Sequence, residues 1–134
     1  MITLEGIDHV VLRTTKLPDM LHFYCQVLGA QLERELPAEM GLVQLRAGSA
    51  LIDLVNVDSQ LGRLGGKPPS QNGRNLDHFC LQIAPVAEGD LLEYLSQNNI
   101  ACEGLAERYG AEGFGRSLYI HDPEGNVVEL KSKV

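Results

Sequence analysis

One six-residue pattern recurs 69 positions apart: Ile7-Asp8-His9-Val10-Val11-Leu12 and Leu76-Asp77-His78-Phe79-Cys80-Leu81. Each is a short apolar strand pattern with an aspartate and a histidine in the same slots. A second echo sets a carboxylate inside an apolar strand, Leu51-Ile52-Asp53-Leu54-Val55 against Val127-Val128-Glu129-Leu130, at an offset of 76 residues. The chain is therefore one unit written twice. Each copy supplies a histidine near its start and an acid near its end, which is the donor chemistry of a metal site.

The elements between these echoes also repeat. Residues 7–13 alternate and predict a strand. Leu17, Met20, Leu21, Tyr24, Val27 and Leu28 then fall on one face of an α-helix, with Pro18 in its first turn and Gly29 just past its end. Strands follow near 31–36, 41–47 and 50–57. The second copy gives a strand at 76–83 and a helix over 86–98 that carries Leu91, Leu92 and Leu95 and is weakened by Gly89. Strands near 101–107, 117–121 and 126–132 complete it. Residues 58–75, rich in Gly, Pro, Ser and Asn, form a linker from which Pro68-Pro69 excludes regular structure. The expectation is an α+β protein. Two tandem βαβββ modules, about 5–57 and 76–132, make a single domain over 1–134, with curved sheets that enclose a metal or ligand cavity.

Composition excludes some partners. A net charge of −7 argues against nucleic acid and against a polybasic membrane contact. No apolar run approaches the roughly 20 residues that span a bilayer, and the N-terminus has no basic region followed by a hydrophobic stretch. Cys25, Cys80 and Cys102 are odd in number and far apart, which reads as reduced thiols in a cytoplasmic protein.

The runs Phe23-Tyr24-Cys25-Gln26-Val27-Leu28-Gly29 and Asp122-Pro123-Glu124-Gly125-Asn126-Val127-Val128-Glu129-Leu130 resemble the vicinal oxygen chelate superfamily. That group includes glyoxalase I, bleomycin-resistance proteins, fosfomycin-resistance proteins and extradiol dioxygenases. The resemblance covers both modules, and it implies that His9, His78 and Glu129 bind one divalent metal ion: Zn, Ni, Fe or Mn. Strand parity agrees, because it separates the histidines from Asp8 and Asp77 and counts against those aspartates as ligands. Two imidazoles and a carboxylate leave coordination positions open for substrate. Asp53 stands where glyoxalase I enzymes generally carry a glutamate. One methylene shorter, it is either a fourth ligand or the partner of a neighbouring polar group.

If strands 117–121 and 127–131 pair antiparallel, Tyr119 lies opposite Glu129 on one face, with Ser117 two residues earlier. The resemblance to fosfomycin-resistance proteins likewise makes Ser117 and Tyr119 substrate-binding residues. Tyr119 is a candidate acid beside Glu129, and Arg13, on the His9 face, is a candidate anion-binding residue. His22 and His121 read as surface or rim residues. Tyr109 to Gly115 reads as a glycine-rich loop, either a hinged lid over the cavity mouth or an ordinary connector. A homodimer is implied by resemblance.

The function expected is that of a metal-dependent, glyoxalase-like enzyme. It would act on a small substrate chelated through adjacent oxygens, by lyase or isomerase chemistry with proton transfer beside a carbonyl. An extradiol-type dioxygenase is the second enzyme reading. A metal-free ligand-binding protein of the bleomycin-resistance type is the competing class, and fosfomycin-type thiol transfer a minor one.

Overall fold

A computed structural model describes residues 1–133. The chain forms two compact units that divide between Asn75 and Leu76, where the linker was expected to end.

In the first unit, β1 (His9–Thr14) is followed by α1 (Leu17–Leu21), β2 (Gln31–Glu35), β3 (Leu42–Ala47) and β4 (Ala50–Asn56). The sheet order is β1-β4-β3-β2. β1 and β4 run parallel, a pairing that requires a crossover, and the intervening helical segment and two other strands supply it. Alternation sorts the side chains. Leu12, Val43, Leu45, Ile52 and Leu54 are buried on the face that the helix covers, together with Met20, Phe23, Tyr24 and Val27. His9, Val11 and Arg13 take the other face.

The first helix departs from expectation. After Leu21 it widens into a π-helical stretch, His22–Val27, in which the Leu28 amide donates to the Phe23 carbonyl five residues back. The wider turn brings Phe23 inside beside Tyr24, and the two rings meet edge to face at 4.9 Å. Leu17, Leu21 and Leu28 are left only partly buried.

The linker is more ordered than its composition suggests. It holds a one-turn helix, α2 (Gln60–Arg63), capped by the Ser59 hydroxyl, which accepts from the Gly62 amide at 3.0 Å. Arg13 reaches across to it. Its guanidinium donates to the carbonyls of Gly62 (2.9 Å), Gly66 (2.6 Å) and Lys67 (2.8 Å). A side chain at Gly65 would collide with it, since a Cβ there would lie 2.3 Å from Nε. Asn75 closes the far end, its Nδ2 donating to the Arg13 carbonyl at 2.9 Å.

The second unit repeats the design with β5 (Phe79–Ile83), α3 (Glu88–Gln97), β6 (Glu103–Gly110), β7 (Gly113–His121) and β8 (Val127–Ser132), in the order β5-β8-β7-β6. Leu118, Ile120, Val128 and Leu130 are buried on one face, and Leu95 of α3 is buried as well. Of the two readings of 109–115, lid or connector, the structure gives a connector, a tight hairpin. Gly110 pairs with Gly113, only Ala111 and Glu112 form the turn, and Tyr109 and Phe114 stack at its tip at 5.1 Å. Ladder hydrogen bonds on both sides hold the glycines that would have served as hinges.

The turn from β7 to β8 is built by Asp122. Its Oδ1 accepts from the amides of Glu124 and Asn126, both at 2.9 Å, and Oδ2 accepts from the Asn126 side chain at 2.8 Å. Both residues are buried. The Asp-Pro-x-Gly-Asn run is therefore a self-satisfied turn that sets the register of β8. Asp122→Ala leaves two amides and a carboxamide without their acceptor, and should lower unfolding free energy by about 3 kcal/mol. Urea denaturation would check this; a loss under about 0.5 kcal/mol would show that the turn stands without the carboxylate.

Candidate metal centre

The open face of each sheet carries one histidine and one acid in the same relation. In the first unit His9 pairs with Leu51 and Val11 with Asp53 across the parallel β1–β4 ladder. In the second, Cys80 pairs with Glu129 across β5–β8. Cys80 follows His78 by two residues, as Val11 follows His9. Each acid thus stands across from the residue two positions beyond its histidine. The sequence echo is a structural one.

Each imidazole is held from behind by the aspartate that precedes it. His9 Nδ1 lies 2.6 Å from Asp8 Oδ1, and His78 Nδ1 lies 2.5 Å from Asp77 Oδ2. Strand parity alone sends these aspartates to the opposite side. They escape it because β1 begins at His9 and β5 only at Phe79, so each aspartate lies just outside its strand, where a side chain can turn toward its neighbour. A carboxylate at Nδ1, with Nε2 turned away from it, is the arrangement that orients metal-binding imidazoles. In His9 the Asp8 hydrogen bond raises the imidazole pKa, and the charge of Asp53 acts in the same direction.

In the second unit His78 Nε2 is 3.4 Å from Glu129 Oε1. Two donors at right angles on an ion with bonds of about 2.1 Å would be about 3 Å apart. Glu129 is almost fully buried, and Tyr119 is its cross-strand partner, as parity predicted. The Tyr119 ring meets His78 edge-on at 5.6 Å. Cys80, on the same face, is an exposed residue whose thiol is pushed up to about 11 by desolvation, with the Glu129 charge adding to it.

In the first unit Asp53 is 3% exposed. Gln44 donates to its Oδ2 at 3.2 Å, while Oδ1 is buried without a partner among the described residues. Both readings of Asp53 thus have a foothold: one oxygen has its polar neighbour, and the other is a buried acceptor without a donor. Within each unit the pair is one imidazole backed by an aspartate and one buried carboxylate, donor types that divalent ions accept. Among the described residues no group of three or more His, Cys, Asp and Glu side chains is assembled; each unit carries a pair.

The remaining expected residues divide. Ser117 is buried beside Tyr119, and its hydroxyl accepts from Arg108 at 3.0 Å. Arg13 serves the linker instead of the site: its guanidinium is committed to three carbonyls, so the expected anion-binding role gives way to a structural one. His22 and His121 are exposed, as expected. Asp8, Asp77 and Arg108 were missed. The Asp-His doublet in both copies was the available signal for the first two, and nothing in the sequence marked Arg108.

Comparison with known proteins agrees with this architecture. Residues 6–130 match the model of the Glyoxalase/Bleomycin resistance protein/Dioxygenase superfamily. The virulence protein STM3117 of Salmonella typhimurium is 27% identical over 132 residues, covering 98% of this chain and 86% of that protein. Its crystal structure superposes with a TM-score of 0.72, at 26% identity over 99% of this chain and 100% of that one. Biphenyl-2,3-diol 1,2-dioxygenase 3 of Rhodococcus globerulus is 30% identical over 98% of this chain, which spans 65% of that enzyme's length. An integron cassette protein from V. cholerae superposes with a TM-score of 0.75, at 25% identity over 100% of this chain and 99% of that one. With the repeated modules, their shared register and this match over nearly the whole length, the chain belongs to the glyoxalase/bleomycin resistance protein/dioxygenase superfamily.

Proposed function

We infer that the chain is a divalent-metal enzyme acting on a small substrate that presents two adjacent oxygens, with His9, His78 and Glu129 as metal donors and Asp53 as a further carboxylate. The observation that carries this reading is the identical placement of a His and an acid in the two sheets, each His backed by an aspartate. An ordinary strand histidine needs no such duplication.

The preferred chemistry is proton transfer beside a carbonyl, of the lyase or isomerase kind. When bound, a divalent ion polarises the substrate's adjacent oxygens and favours the charge that develops on them. The chain's own residues do the rest. Asp8 and Asp77 hold the imidazole protons at Nδ1 and so keep each Nε2 directed outward. Glu129, buried against apolar strand residues and facing Tyr119, is the carboxylate that takes and returns the proton. Tyr119 Oη donates to the substrate oxygen on which charge accumulates. A second reading, ring cleavage of a catechol with iron and oxygen, is favoured by the likeness to the biphenyl-diol dioxygenase.

Elemental analysis of protein purified without added metal, beside His78→Ala, tests the reading. About one transition metal per chain in the parent and none in the variant is the expected result. Nickel or zinc directs assay to hemithioacetal isomerisation, and iron to catechol cleavage under oxygen. A parent that stays empty after soaking with each metal would leave a ligand-sequestering protein as the better account.

A further inference from the structure

The open face of the second sheet carries a cation that the metal reading does not use. Arg108 lies on β6 opposite Gly115, which has no side chain to obstruct it, and its guanidinium runs along the sheet toward the middle of β7. Nη1 donates to the Ser117 carbonyl at 2.9 Å and to the Ser117 hydroxyl at 3.0 Å. The guanidinium carbon sits 4.5 Å from the centre of the Tyr119 ring, within cation–π range. Gly104 closes the other side. Its φ is +69°, at an irregularity in the β6–β7 pairing, and a Cβ there would fall 3.1 Å from both Arg108 Nη2 and a Tyr119 ring carbon. Arg108 is thus fixed by a serine, an aromatic face and a close backbone, and the Tyr119 ring that it covers also touches His78.

The fixed guanidinium has no carboxylate within ion-pair distance among the described residues, although it is half-buried. Its Nη2 and Nε make no hydrogen bond among the described residues and are not sealed from solvent. Lys131, the cross-strand neighbour of Ser117, adds a second positive charge on this face, with its ammonium on the Gly113 carbonyl at 2.6 Å. A half-buried, preorganised arginine without a counter-charge is an unfavourable arrangement unless something anionic completes it, and the planar fork suits an oxyanion.

We propose that Arg108 is the substrate-anion residue of this site, and that the natural substrate carries a carboxylate or similar oxyanion in addition to its two chelating oxygens. The proposal deepens the metal-enzyme reading and rests on it only for the position of the chelating oxygens. Catechol and 3,4-dihydroxybenzoate, which differ by one carboxylate, are the probes. Binding to zinc-loaded protein, which is redox-silent, is followed by calorimetry and by the Arg108 Nε–H resonance.

The acid should bind the parent about tenfold or more tightly than catechol and should move the Nε–H resonance, which catechol leaves in place. Arg108→Gln should erase that preference, so that the acid and catechol bind the variant equally well. Arg108→Lys, which keeps the charge and loses the fork, should recover part of it. An acid that binds no better than catechol, a preference that survives in Arg108→Gln, or an Nε–H resonance that stays put at saturation with acid would each overturn the proposal. The resonance needs no variant, so a misfolded Arg108→Gln leaves the proposal testable. Acid binding with no catechol binding would keep the anion site and sink the chelate reading.

Discussion

On the proposed metal-enzyme reading, Glu129→Gln protein, prepared beside the parent, should bind a divalent metal about a hundredfold more weakly, since a structural divalent site is worth about 10–16 kcal/mol over its ligands and the exchange would remove an anionic donor. The exchange keeps the shape of the side chain and removes only the charge. Glu129 is buried on β8, with its Oε1 3.4 Å from His78 Nε2. Competition against a chromophoric chelator reads the affinity directly. Metal retention equal to that of the parent would exclude Glu129 as a donor and return it to the role of a buried acid beside Tyr119.

The second large effect is expected where the side chains are most exposed. Asp8→Ala and Asp77→Ala remove the carboxylates behind His9 and His78, and each should weaken metal binding by about 10- to 100-fold, the usual cost of losing the group that orients a ligating imidazole. The aspartate side chains are 90% and 82% exposed, so the same substitutions should leave the melting temperature nearly unmoved. That split is diagnostic. A surface ion pair with no functional part would change neither quantity, and a residue needed for folding would change both. Equal metal affinity in parent and variants would mean that the backing hydrogen bonds are incidental.

Much of the fold was legible because period and punctuation agreed. The alternation in 50–57 and 126–132, and the parity that set Tyr119 opposite Glu129, rest on a strand period that allows no intermediate answer. The first helix was legible as a helix and not as a π-helix. An apolar stripe records which residues are buried on average, whereas widening the turn to bury Phe23 beside Tyr24 depends on the sheet beneath. The glycines at 110–115 fit a hinge and a turn equally well in the sequence, and they serve a tight hairpin. Parity failed at Asp8 and Asp77 because it holds only inside a ladder, and both lie just before one. Arg13 and Arg108 could not have been told apart in the sequence. Each is an arginine in a strand, and what separates them is distant in the chain: the carbonyls of the linker for one, the ring of Tyr119 for the other.

The grip of Arg13 on residues 62–67, with Asn75 returning to the same residue, changes what the linker is mechanically. It is a loop pinned at both ends, and the Ser70–Gly73 turn, where the two backbones bond each other at 3.1 Å, is its slack. Lengthening a loop whose ends are already fixed adds only closure entropy, about 0.6 kcal/mol for a doubling. A peptide tag or reporter spliced into that turn would therefore burden neither sheet, whereas the same splice at Gly65 would displace the guanidinium that holds the loop in place.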